Sequence, residues 1–178
     1  MIYNERTQRH EQVVATALQM LTAARTAPKA RGVDIIEAIL VEGDDLKLLA
    51  ERMVEIGNER NRPSFIRDAG NVLQAECIVA IGTRFQSLGL NCGHCGFATC
   101  AEREQKAEVP CSLNSIDVGI AVGSACATAA DLRLDTRVMY SIGVAVEQLG
   151  WIGSDVHLTM GIAVSASSKN PFFDRPTK

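Results

Sequence analysis

The sequence predicts a layered α+β domain in which a sheet is flanked by helices and interrupted by a cysteine-rich insertion. Three observations predict it. Apolar residues recur at helical spacing near the N-terminus, and short β-branched runs alternate with further helical stretches. Between the second such run and the next helix stand four cysteines spaced C-x2-C-x4-C-x10-C. Residues 1–178 read as one domain, and 91–111 as a metal-binding insertion within it.

The elements follow in order. Val13, Val14, Ala17, Leu18, Leu21 and Ala24 line one face of a helix from Glu5 to about Arg25. Pro28 and Gly32 end that pattern, and VDIIEAILVEG then reads as a strand closing at Gly43. Asp44 is placed to cap a helix whose buried stripe is Leu46, Leu49, Met53 and Ile56, with Gly57 as its stop. A helix is expected from Phe65 to Leu73, and CIVAIGTR is a short apolar strand. Beyond the cysteines, IDVGIAVGSACATAADL and TRVMYSIGVAVEQLG read as two helices, and DVHLTMGIAVSAS as a last strand. The tail KNPFFDRPTK reads as irregular.

Composition narrows the function classes. Lys and Arg total 18 against 21 Asp and Glu, a net charge of -3, so there is no basic excess to neutralise a phosphate backbone. Nucleic acid is therefore not expected as a partner. The polar start MIYNERTQRHEQ lacks the apolar segment of a secretory signal, and no uninterrupted apolar run reaches the ~18 residues of a membrane span. A soluble, cytoplasmic protein with reduced thiols is expected.

Cys92, Cys95, Cys100 and Cys111 lie in NCGHCGFATCAEREQKAEVPC and are the candidate metal ligands. Clustered thiols at ligand spacing point to a metal centre rather than to core filling. A four-iron four-sulfur cluster suits them, because each thiolate reaches a different iron of a compact cube. Zinc is the alternative metal, although structural zinc sites usually pair two C-x2-C knuckles and here only the first pair is close. Gly93 and Gly96 free backbone N–H groups beside the sulfurs, Pro110 stiffens the approach to Cys111, and Phe97 is placed to shield the centre from water. His94, between two ligands, reads as an exposed loop histidine.

The run NCGHCGFATC resembles the iron-sulfur domain of electron-transfer and corrinoid proteins, with its pattern N-C-G-x-C-G-x-x-x-C followed by a more distant cysteine. The resemblance implies a four-iron four-sulfur cluster on the same four cysteines; the last gap, ten residues, is shorter than usual in that family. Most of the chain is similar to a family of uncharacterised prokaryotic proteins described as containing a ferredoxin domain. The matching stretches are AARTAPKARGVDIIEAILVEG, the cysteine run, DVGIAVGSACATAADLRLDTRVMYSIGVA and KNPFFDR.

AARTAPKARG, followed by a strand and then by DDLKLLAERM, resembles the start of the flavin-dependent nitroreductase fold. That resemblance implies a mixed sheet with flanking helices, a homodimer, and flavin mononucleotide bound at the shared interface; a redox partner protein is a separate expectation of the cluster reading. This chain carries Lys29, Ala30 and Arg31 after Pro28, where nitroreductases usually carry Ser and Asn. Lys29, Arg31, Lys169 and Arg175 offer positive charge to a phosphate, but read first as solvated surface charges.

Other residues have structural readings. Gly119, Gly123 and Ala127 with Ala121, Ala125 and Ala129 make a slim helix that permits close packing or the approach of a partner helix or a flat cofactor. Cys77 and Cys126 read as small core residues, and Asp117, Asp131, Asp135 and Arg137 as ion-pair formers at helix ends. His10 and His157 are isolated, and Ser-His-Asp ordering, HExxH, P-loop and GxGxxG patterns are absent. The expectation is an iron-sulfur redox protein, with a structural metal site or an FMN-dependent oxidoreductase as the alternatives.

Overall fold

The computed structural model describes residues 1–106 and 108–173. In chain order it contains α1 (Glu5–Thr26), a 3-10 turn (Ala30–Gly32), β1 (Ile36–Glu42), α2 (Asp45–Glu59), α3 (Pro63–Val72), β2 (Cys77–Arg84) and α4 (Cys100–Glu104). There follow α5 (Ser112–Asp131), β3 (Asp135–Met139), α6 (Tyr140–Gln148) and β4 (Val156–Ser165). The four strands form one sheet in the order β1-β2-β4-β3.

Each pairing in that sheet is antiparallel, so the layered class holds while the expected mixture of strand directions does not. The reason is connectivity. Each link between paired strands returns the chain to the end it left, as α2 and α3 do between β1 and β2.

Helices cover both faces. Ile78 and Ala80 of β2 point toward α2, α3 and α6, with Leu49, Met53, Phe65, Val72, Ile142 and Val146 filling that core. Cys77, Val79 and Ile81 point the other way, toward Val13, Ala17 and Met20 of α1 and Ala121 and Ala125 of α5. Burial on both sides explains why CIVAIGTR is apolar throughout rather than alternating. Each large side chain fully removed from water contributes about 1.5–3 kcal/mol, before the entropy of ordering it.

Close approaches fix the layer spacing. A Cβ on Gly143 would lie 1.7 Å from the Thr159 carbonyl oxygen, and one on Gly161 would lie 2.1 Å from Ile142 Cγ2, so α6 rests directly on the β4 backbone. Beside them, β4 carries a bulge: Ile81 pairs with Met160 and Thr83 with His157, leaving Leu158 and Thr159 opposite Gly82.

Several sequence expectations are corrected. TRVM is strand β3, not the start of a helix, and α6 begins directly after it with Met139 as its cap. Gly57 does not stop α2, which runs to Glu59; the missing Cβ instead admits α3, since a methyl there would sit 2.9 Å from Ile66 Cγ1. Asp44 precedes α2 without making a side-chain cap bond. The charged residues expected at helix ends bond differently too. Arg137 lies in β3, 3.8 Å from the buried Asp68 of α3, and donates to the Phe172 carbonyl; Asp135 accepts from Asn170.

Candidate metal centre

The chain leaves β2 at Arg84 and runs without regular structure to Thr99, then through the five-residue α4 to the start of α5. Four residues of this loop have left-handed backbones: Gly89 (φ 70°), Asn91 (φ 46°), Gly93 (φ 72°) and Gly96 (φ 87°). A turn closes between the last two, the Gly96 amide donating to the Gly93 carbonyl at 2.9 Å. These reversals fold the loop back on itself, and glycine adopts them without steric cost.

The result brings the four predicted cysteines together. Cys92, Cys95, Cys100 and Cys111 line one small hollow with Asn91, Gly93, Phe97, Thr99 and Ser112. Their exposure is graded: Cys92 is exposed, Cys95 and Cys100 are half-buried, and Cys111 is buried. Among the described residues no three His, Cys, Asp or Glu side chains converge closely enough to share a single ion. Thiolate sulfur is the donor of both iron-sulfur clusters and structural zinc, and the four thiols share this one hollow.

Local structure positions each of the later two cysteines. Cys100 opens α4, where Thr99 Oγ1 accepts from the Glu102 amide and Glu102 Oε2 accepts from the Ala98 amide, a variant of the reciprocal N-terminal cap. Cys111 is the cap residue of α5, its carbonyl accepting from the Asn114 amide. The amide end of that long helix favours a negatively charged ligand. Asn114 is itself fully buried and receives the Gln86 amide at 3.2 Å, which ties α5 to the exit of β2.

Two site residues escaped the sequence reading. Asn91 binds Cys100 through both its side chain and its amide, and the signal for it is the asparagine that opens the N-C-G pattern, a residue type tolerant of left-handed backbone. Arg103 is buried beneath α4, and no pattern in AEREQKAE singles it out. His94 is exposed and its Nδ1 lies 3.1 Å from the Cys92 carbonyl within its own loop.

The loop expected over a flavin is also built. Ala30 donates its amide to both carboxylate oxygens of Asp117, at 3.1 and 3.2 Å, across from α5. Burial pushes the Asp117 carboxyl above its ordinary range, and the Ala30 amide opposes that shift. Lys29 caps α1, donating to the carbonyls of Ala24, Arg25 and Ala27, and Arg31 donates to the Leu88 carbonyl. Both offered charges are therefore spent on backbone oxygens. The Lys169 carbonyl accepts from Ser167, and Arg175 lies outside the described residues.

The remaining cysteines stand apart. Cys77 is buried in the sheet and its thiol is pushed up to about 12, mainly by burial; Cys126 is half-buried in α5 with its thiol raised by the same cause.

Comparisons with known proteins agree with this architecture. A family model described as an uncharacterised protein containing a ferredoxin domain matches residues 107–175, a range holding Cys111 and lying beyond the other three cysteines. An uncharacterised protein of Archaeoglobus fulgidus is 41% identical over 186 residues, covering 100% of both chains. Among solved structures, an oxidoreductase containing FMN superposes with a TM-score of 0.57 at 16% identity, over 87% of this chain and 67% of that one. A nitroreductase family protein from Clostridium novyi gives 0.56 at 15%, over 85% and 73%. The NADPH:FMN oxidoreductase of Vibrio harveyi gives 0.57 at 11%, over 91% and 63%. These likenesses establish a nitroreductase-like fold.

Proposed function

The chain belongs to the family of proteins described as containing a ferredoxin domain, and from that premise we propose that it is an electron-transfer protein holding a four-iron four-sulfur cluster on Cys92, Cys95, Cys100 and Cys111. The observation that carries the reading is the hollow lined by all four thiols, with the Asn91 amide directed at Cys100 Sγ. A bound cluster supplies a site that takes up and gives back one electron. The chain's own residues do the rest. The four cysteines bind, the Asn91 amide donates to a ligand sulfur, Phe97 walls the hollow, and the exposed Cys92 side faces a redox partner.

Two chains associate through α5 in this reading. Ile116, Gly119, Ile120, Gly123 and Ala127 are exposed along one uncharged stripe of that helix, while its opposite side packs on α1 and the sheet. α5 is also the one helix among the described residues long and apolar enough, by length and composition, to cross a membrane, with 33% of that stretch buried within the fold. A helix partner in a cytoplasmic homodimer accounts for the same stripe.

A second reading, an FMN-dependent oxidoreductase fed by the cluster, is supported by the fold shared with the FMN-containing oxidoreductase. Against it, Lys29 and Arg31 are already bonded to carbonyls and leave a flavin phosphate without those cations.

Anaerobic purification with iron, zinc and acid-labile sulfide analysis tests the proposal. About four irons and four sulfides per chain are expected. One zinc without sulfide overturns the cluster in favour of a structural metal site, and flavin released on heating establishes the second reading.

A further inference from the structure

Arg103 is 5% exposed, among the most deeply buried cationic residues of the fold. Its Nε donates to the Val109 carbonyl at 2.6 Å, two residues before Cys111, and its Nη1 lies 3.4 Å from Ser87 Oγ. The guanidinium carbon sits 5.9 Å from the centre of the Phe85 ring, which in turn meets His157 at 4.7 Å. These partners are all neutral or uncharged acceptors, and buried Nη2 has no partner. No carboxylate pairs with Arg103 among the described residues.

A buried cation without a counter-charge is costly, and such a charge normally resides beside an anion. Arg103 stands three residues after Cys100 on α4, hence on the same helical face, and grips the strand of chain that delivers Cys111. Four thiolates on an iron-sulfur cube leave net negative charge at the hollow. We propose that Arg103 is the positioning residue and counter-charge of the cysteine centre, holding the Cys111 approach and favouring the reduced, more negative state. This rests on the cluster reading above. A cation near the centre raises its reduction potential, since adding an electron increases the negative charge it faces.

The test compares wild type with Arg103→Lys, which keeps the charge, and Arg103→Gln, which keeps a donor and drops it. Each protein is reconstituted anaerobically with iron and sulfide, checked for folding by circular dichroism, and titrated with dithionite. We expect Arg103→Gln to be about tenfold harder to reduce, a potential lower by about 59 mV for one electron, and Arg103→Lys to stay near wild type. Loss of the centre from folded Arg103→Gln but not from Arg103→Lys also supports the proposal. Equal potentials in wild type and Arg103→Gln overturn it, as does equal loss of the centre from both variants. Wild type that takes up no iron and sulfide overturns the cluster reading instead. If neither variant folds, the Arg103 Nε–H signal of the wild type decides: a shift or broadening on loading is expected, and an unchanged signal overturns the proposal.

Discussion

Asn91 and Cys100 hold each other through two hydrogen bonds in opposite directions. The Cys100 amide donates to Asn91 Oδ1 at 2.8 Å, and the Asn91 amide donates to Cys100 Sγ at 3.4 Å. One residue thus fixes the backbone of Cys100 and donates a hydrogen bond to its sulfur. Replacing Asn91 by Gly keeps the left-handed turn and the amide but removes the side-chain acceptor, at a cost of about 1 kcal/mol. Asn91→Gly is expected to retain the cluster with faster iron loss to a chelator, followed by absorbance. Asn91→Val, whose branched side chain resists φ 46°, is expected to load less iron still.

Cysteine substitutions separate ligands from core thiols. Cys100→Ser and Cys111→Ser are each expected to lower iron and sulfide at least severalfold on reconstitution. Cys126→Ala is expected to leave both unchanged, as is Cys77→Ala, whose native thiol stays protonated with its pKa pushed up to about 12. Unchanged iron in Cys111→Ser would show that the short last gap carries no ligand.

Gly143 and Gly161 test the packing of α6 on β4. Gly161→Ala places a methyl 2.1 Å from Ile142 Cγ2, and Gly143→Ala drives one into the Thr159 carbonyl. Each is expected to cost at least about 2–3 kcal/mol, read as a lower Tm or a lower urea midpoint.

His10 gives a pH-dependent contribution of known sign. Its Nδ1 lies 2.9 Å from Glu76 and its Nε2 3.4 Å from Glu42, and the hydrogen bond it donates to the Glu76 carboxylate foremost holds the imidazole above its ordinary 6.5. A raised folded value makes the stabilisation full below 6.5 and lost as pH climbs through the folded value. The pair is half-exposed, so screening holds it to about 0.5 kcal/mol or less. His10→Gln is expected to lower Tm slightly at about pH 5.5 and to match wild type near about pH 8.5.

The α5 stripe tests the assembly. Ile120→Glu adds a charge in the middle of the exposed apolar face without touching the core side. Sedimentation is expected to show a dimer for wild type and a monomer for the variant; equal masses would remove α5 from the interface.

Much of this was legible in the sequence because the signals were local. α1, β1, α2 and β2 follow from periodicity and β-branching, and the gathering of four cysteines in one hollow from thiol spacing. β3 was hidden because Met139 ends the strand and caps α6 at once, leaving no turn residue to punctuate TRVMYS. Gly57 misled for a different reason. A glycine serves equally to end a helix or to admit a neighbouring one, and only the position of Ile66 distinguishes the two. Arg103 was invisible because burial beneath a five-residue helix depends on Phe85, Ser87 and Val109, distant along the chain and unremarked by any pattern.

The gradient from buried Cys111 to exposed Cys92 gives the cysteine hollow a floor and a doorway. The floor is the N-terminal cap of α5, a helix packed on the sheet, whereas the doorway is a surface loop with left-handed turns. A thiol reagent in solvent therefore meets Cys92 first and Cys111 last.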